Sequence, residues 1–218
     1  MAVISRRRGG AVTQIIVINV LVFVAWQLWG STENDQNIMV QNFLVSWNGL
    51  VEGRYWTLLT SVFSHNTFWH ILLNMMVLRS FGGIIESMLG YRRFITFYLS
   101  AGVFSSLCHC IVSLLILHQP EIPALGASGA ISGLVLVFAL MFPREKILIF
   151  GLIPVPALIG SVAFVGLDVW GLVAQAGGGG LPIGHGAHLG GALAGLIYYW
   201  YYLKPKMRPR TPSPITAP

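Results

Sequence analysis

Charged side chains are scarce in this sequence. They make up 9% of its 218 residues, against 55% hydrophobic, where a soluble domain carries about 25% charge. So few ionic groups do not cover a water-facing surface of this size, and a mean hydropathy of +0.73 excludes a disordered chain. Cysteine is nearly missing too. The two present, Cys108 and Cys110, lie too close in sequence to staple a secreted disulfide scaffold. The sequence also lacks an H-E-x-x-H metalloprotease signature, and no A-x-A-type cleavage site follows its first apolar run. What is left is a multi-span membrane protein.

A spanning helix needs about 20 mostly apolar residues. Six runs qualify, near 13–30, 68–89, 93–117, 126–142, 147–174 and 186–203. Pro154, Pro156 and Gly160 predict an irregular opening to the fifth, with its helix starting later. Turn and charge signals such as Gly90-Tyr91-Arg92-Arg93 and Pro143-Arg144-Glu145-Lys146 separate the runs. The expected fold class is an all-α membrane protein, a six-transmembrane-helix bundle over 13–203. A cytoplasmic N-terminal segment (1–12) precedes it, and a disordered, basic and proline-rich cytoplasmic tail (204–218) follows.

Of the 13 Lys and Arg residues, all but Arg54 and Arg79 fall in segments that six spans place on one side: Arg6, Arg7, Arg8, Arg92, Arg93, Arg144, Lys146, Lys204, Lys206, Arg208 and Arg210. By the positive-inside rule both termini are cytoplasmic, and the first run is read as an uncleaved span. The net charge of +6 is then a topology signal with some attraction to anionic headgroups. Basic residues scattered over four segments, with no aromatic-rich basic face, point to the lipid bilayer as partner and not to nucleic acid. The segment Ser31–Thr57 reads as a long external loop, with Trp47, Tyr55 and Trp56 suited to the headgroup level. The membrane expected is the cell membrane, inner or plasma, with the polar site open to the external side.

Polar groups inside a membrane are expensive and usually face the bundle interior or a wet cavity. Gly126-Ala127-Ser128-Gly129 opens the fourth run, His185-Gly186-Ala187-His188 the sixth, and His70 and Asn74 lie at i, i+4 in the second. Small residues four apart ordinarily let membrane helices approach closely, as Gly129 and Gly133 would on run four and Ala187, Gly191 and Gly195 on run six. His188 shares the helical face of Gly191 and Gly195, so this packing carries its imidazole to Ser128. A serine is a poor nucleophile until a neighbouring base takes its proton. Acyl transfer also needs donors for an oxyanion, and His70, Asn74 and the Ser128 N–H, which has no intrahelical acceptor, can supply them. His65 and His185 lie toward the external surface and are expected either to face solvent or to support the site residues from behind. Cys108, His109 and Cys110 point about 100° apart around a helix and cannot converge on one ion.

Gly126-x-Ser128-Gly129, Ala187-His188-x-x-Gly191 and His70-x-x-x-Asn74 together resemble the signatures of the rhomboid intramembrane serine proteases. Trp56 and Gly82-Gly83-x-x-Glu86 add to the likeness, which runs from about Thr57 to Gly195. The resemblance implies a rhomboid-like bundle and a dyad without a third acid, Ser128 as nucleophile and His188 as base. It implies an oxyanion hole of His70, Asn74 and the Ser128 N–H, with Gly126, Gly129, Gly191 and Gly195 in support, no metal or other cofactor, and transmembrane proteins as substrates. Those substrates would enter between the second and fifth spans. The sequence departs from the pattern twice: Thr57 follows Trp56 where many relatives have Arg, and Ser132 stands where some have an aromatic residue against the histidine.

Of the acids, Asp168 lies alone in the fifth run and Glu86 at the far end of the second, and neither is expected to orient His188. One alternative is a catalytically inactive rhomboid-like protein that binds membrane clients. The other is a metal transporter or zinc protease built on His65, His70, His185 and His188, which the sequence disfavours because it has no H-E-x-x-H and no carboxylate is expected beside those histidines.

Overall fold

The computed structural model describes residues 10–29, 33–149 and 152–207. The expectations for Arg6–Arg8 and for the tail from residue 208 onward lie outside the described residues. The first described element is α1 (Gly10–Trp29), whose first N–H groups have no helical acceptor. Ala11 and Val12 donate theirs to the Glu86 carboxylate at 2.9 and 3.0 Å, and a negative charge is also favoured at a helix N-terminus. The segment expected as a plain external loop contains α2 (Glu33–Phe43) and α3 (Trp47–Val51). The Ser46 hydroxyl caps α3 by accepting from the Gly49 N–H at 3.1 Å, and Val45 pairs with Ala124 through two backbone bonds of 2.8 and 2.9 Å. This segment is tied to the body of the protein. After the short α4 (Thr57–Thr60), α5 (Phe68–Val77) passes through a wide π-type turn into α6 (Gly83–Leu89).

The remaining helices are α7 (Tyr91–Leu115), α8 (Ser128–Met141), α9 (Ala157–Ala176), α10 (His185–Tyr198) and, past a second π-type turn, α11 (Lys204–Met207). Among the described residues, four stretches are long and apolar enough to cross a membrane: Gly10–Trp29, Phe68–Leu89, Tyr91–Leu115 and Ala157–Ala176. The other two predicted runs give shorter helices, α8 and α10, of 14 residues each. Gly126, at φ +121°, holds a left-handed turn that no helix continues through, so α8 begins at Ser128 and not at 126.

The fifth run differs most from expectation. Its first part is an antiparallel hairpin, β1 (Lys146–Ile149) with β2 (Ile153–Pro156), in register Lys146 opposite Pro156 and Ile149 opposite Ile153. β-Branched residues favour strand, and Pro154 and Pro156 lack the N–H that a helix or a central strand requires, so a short two-stranded ribbon suits them. The helix α9 starts only at Ala157.

The core holds Leu78, Ile85, Phe94, Tyr98, Leu134 and Val137, all fully buried. At its centre α8 and α10 approach backbone to backbone. A Cβ on Gly133 would stand 2.6 Å from the Gly191 carbonyl oxygen, and one on Gly191 or Gly195 would overlap the backbone of Gly129 or Gly133. Membrane helices use this small-residue contact to come close, and here it brings the N-terminal turns of α8 and α10 side by side.

Candidate active site

Ser128 is the first helical residue of α8, held by the turn before it. The Gly126 N–H donates to the Ser61 carbonyl at 2.9 Å, and the Ala127 N–H donates to Nε2 of His65 at 3.3 Å. From α10, one turn past its start, Nε2 of His188 lies 2.9 Å from the Ser128 hydroxyl oxygen. The two residues paired by spacing are thus in hydrogen-bond contact, through the ring nitrogen that a base taking the serine proton would use.

The expectation of no orienting acid is overturned. Asp168 of α9 is 4% exposed, and its Oδ1 lies 3.0 Å from Nδ1 of His188 and 2.7 Å from Nδ1 of His185. The connection from α9 into α10 folds back, held by the Gln175 amide, which donates to the carbonyls of Leu181 and Ile183 at 2.7 and 2.8 Å. That return sets the middle of α9 against the first turn of α10. The arrangement is a Ser–His–Asp series in which a carboxylate accepts from Nδ1–H and leaves the Nε2 lone pair facing the hydroxyl. One of the two grounds against a metal site, the absence of a carboxylate beside the histidines, falls with it; the absence of an H-E-x-x-H stands.

His65 and His185 are both buried, which excludes the solvent-facing expectation for them. His65 is completely enclosed and accepts from Ala127 while its ring meets His70 edge-on at 4.7 Å. It lies outside the long apolar helices, and burial first, then the His70 ring, push its pKa down to about 3, so it stays neutral and props the serine turn. His185 is seated against Gly171, where even a Cβ would overlap the imidazole. Of the two expectations for these histidines, solvent-facing or supporting the site residues from behind, the structure shows the second; a lone histidine at a helix entrance does not by itself say which way it faces.

His70 is placed beside the serine turn. A Cβ on Gly126 would lie 2.8 and 2.9 Å from Cε1 and Nε2 of His70 and 3.7 Å from the Ser128 hydroxyl oxygen, so glycine there leaves room for the ring next to the nucleophile. Asn74 is buried on the same helix, and its side-chain nitrogen donates to the His70 carbonyl at 2.8 Å, spending one amide hydrogen within α5. The Ser132 hydroxyl bonds back to the Ser128 carbonyl at 2.9 Å. The aromatic neighbour of His188 comes from α9 instead, with Phe164 at 5.7 Å between ring centres. Thr57 donates its hydroxyl to the Arg54 carbonyl at 2.6 Å. His109 reaches the Ile122 carbonyl at 3.1 Å, a bond that ties α7 to the loop after it.

A family model described as the Rhomboid domain matches residues 52–205. The chain is 35% identical over 197 residues to Rhomboid protein 1, mitochondrial, of Saccharomyces cerevisiae, covering 87% of this chain and 52% of that protein. It is 29% identical over 206 residues to RHOMBOID-like protein 12, mitochondrial, of Arabidopsis thaliana, covering 89% and 59%. Over 192 residues it is 33% identical to the Presenilin-associated rhomboid-like protein, mitochondrial, of Homo sapiens, covering 87% and 48%. The chain therefore spans about half the length of the curated relatives it matches. Those relatives are all mitochondrial by name, which overturns the expectation of a cell-membrane location with a site open to the cell exterior. The domain match over residues 52–205, most of the chain, makes this protein a member of the rhomboid family.

Proposed function

We propose that the protein is an intramembrane serine endopeptidase that hydrolyses peptide bonds in or near the transmembrane segments of other membrane proteins. The observation that carries this reading is the 2.9 Å contact between Nε2 of His188 and the hydroxyl oxygen of Ser128. His188 takes the serine proton as Oγ attacks the scissile carbonyl and returns it to the leaving amine. Asp168 accepts from Nδ1 of His188 and so fixes the tautomer whose Nε2 is a free base; it acts through the histidine and does not touch substrate. His70, the remaining amide hydrogen of Asn74 and the Ser128 N–H stabilise the oxyanion, each donor contributing roughly 3–4 kcal/mol. Gly126, Gly129, Gly191 and Gly195 keep the two catalytic helices close enough for the contact.

In this reading α8 and α10 complete a six-span bundle with both termini on one side. Substrate enters from the bilayer between α5 and α9, because its own apolar span loses burial if it leaves the lipid. The chemistry calls for water beside Ser128 and for no metal or other cofactor.

A fluorophosphonate probe tests the nucleophile directly, because it reacts only with a serine whose proton is taken by a base. The wild-type protein in detergent is expected to label and to cleave a single-span substrate, and Ser128→Ala is expected to do neither while unfolding at the same temperature. Equal labelling of the two would overturn the assignment. Absence of labelling in the wild type would favour an inactive, client-binding protein.

A further inference from the structure

The cluster behind the dyad holds more than an orienting acid. One ring nitrogen of each of His185 and His188 and a carboxylate oxygen of Asp168 all lie within 4.8 Å of one another, and Oδ1 of Asp168 lies 2.7 and 3.0 Å from the two Nδ1 atoms. They come from two helices, and their side chains are 8%, 13% and 5% exposed. Oδ2 of Asp168 is buried and has no hydrogen-bond partner, so the carboxylate carries unused lone pairs in a place where an unpaired anionic oxygen is costly. His185 is fixed by its seat against Gly171.

We propose that Asp168, His185 and His188 form a regulatory site for a borderline divalent metal of the zinc class, and that occupancy of this site switches the serine off. The regulatory part rests on the protease reading given above; the metal site itself rests on the cluster alone.

Zinc binds imidazole nitrogen and carboxylate oxygen at about 2.0–2.2 Å in tetrahedral geometry, which sets its ligand atoms roughly 3.3 Å apart. To reach that spacing the observed N···O separations of 2.7 and 3.0 Å open by about 0.6 and 0.3 Å, and the two imidazole nitrogens, within 4.8 Å of each other, draw together. Two neutral imidazoles and one carboxylate suit zinc, whereas magnesium and calcium prefer oxygen alone. Three protein ligands leave a fourth position for water.

The off-switch follows from where the proton sits. In the metal-free site Nδ1–H of His188 donates to Asp168, and the Nε2 lone pair accepts the Ser128 hydroxyl. A metal needs the Nδ1 lone pair, so the single proton of the neutral ring moves through solvent to Nε2. Nε2–H then donates to the serine oxygen, and no base remains to take the serine proton. His185 changes tautomer in the same way. No proton is released from a neutral ring, and one is released from each ring that was protonated.

The test uses the full chain in detergent. Cobalt(II) and zinc are titrated into Ser128→Ala, which cannot turn over. The expected result is one metal per chain, a visible absorption band of four-coordinate cobalt, and displacement of cobalt by zinc. Asp168→Asn and His185→Asn should each weaken zinc binding by at least about tenfold, with the thermal unfolding of each metal-free variant recorded to show that it is folded. In the wild type, zinc should abolish fluorophosphonate labelling, a chelator should restore it, and magnesium should have no effect. No saturable binding in Ser128→Ala, or equal binding in folded Asp168→Asn and His185→Asn, would overturn the site. Labelling that persists at saturating zinc would overturn the switch. Wild-type protein that fails to label before metal is added would instead sink the protease reading, and the titration would still decide the metal site.

Discussion

Asp168 shows how much a single residue changes the chemistry on offer. Without it, Nδ1–H of His188 would bond to water or to nothing, and the ring could turn or adopt the tautomer that donates to Ser128. With Oδ1 at 3.0 Å, one tautomer is held. Replacing an aspartate in this position by asparagine in a soluble serine protease costs about 10⁴-fold in kcat. Asp168→Asn is accordingly expected to lower kcat by up to about 10⁴-fold with little change in KM, and Asp168→Glu to recover part of the loss. Steady-state kinetics on a single-span substrate checks this. A purely structural role would instead lower the unfolding temperature and leave kcat of the folded fraction unchanged. Sequence distance explains why Asp168 was not legible. Ser128 and His188 were found because each sits in a stripe of small residues whose helical spacing is visible in the sequence. Asp168 has no such marker, and its distance from His188 depends on how residues 177–184 turn, which no periodicity encodes. The same holds for His65, whose bond to Ala127 crosses between two loops.

At the scale of elements, the site depends on how closely α8 and α10 approach. A methyl group on Gly133, Gly191 or Gly195 meets backbone atoms of the facing helix that cannot rotate away, whereas one on Gly129 meets the Ser105 side chain of α7 first. Gly191→Ala is expected to lose about 1–3 kcal/mol of stability from overpacking. It should also reduce fluorophosphonate labelling, because separating the helices pulls His188 from Ser128. Gly166→Ala, on α9 with open space around the new methyl, provides the contrast: it should label normally and gain up to about 1 kcal/mol from the better helix former. Unfolding curves and labelling of the two variants side by side decide the matter, and an unaffected Gly191→Ala would mean the helices have slack. The helical contact was readable because spacing is a property of one helix at a time. The hairpin before α9 was not, since an apolar run with two prolines fits an irregular helix start as well as a ribbon, and the pairing of Lys146 with Pro156 is a contact between segments.

For the molecule as a whole, the outer surface is the part whose solvent has to be inferred. Along α9, Ile159, Val162, Leu167, Trp170 and Val173 are each at least 61% exposed, while the single acid of this helix turns inward to the two histidines. In water such a surface would be an aggregation patch; in a bilayer it is the ordinary outside of a span. The two solvents give opposite answers for one substitution. If α9 faces lipid, Leu167→Lys near its middle costs about 2.5–3.5 kcal/mol on the insertion scale and lowers the fraction of chain recovered as folded, membrane-embedded protein. If Leu167 faced water, the same change would be neutral or would improve solubility. Leu152→Lys, at the exposed tip of the β1–β2 hairpin, adds the same charge outside the helix and is expected to cost far less. Comparing carbonate-resistant, probe-reactive protein for the two variants separates the alternatives. Because α9 also carries Asp168, a Leu167→Lys protein that inserts poorly should lose labelling in proportion to its loss of embedded chain, whereas one that inserts fully but labels weakly would mean that α9 positions its acid independently of the lipid around it.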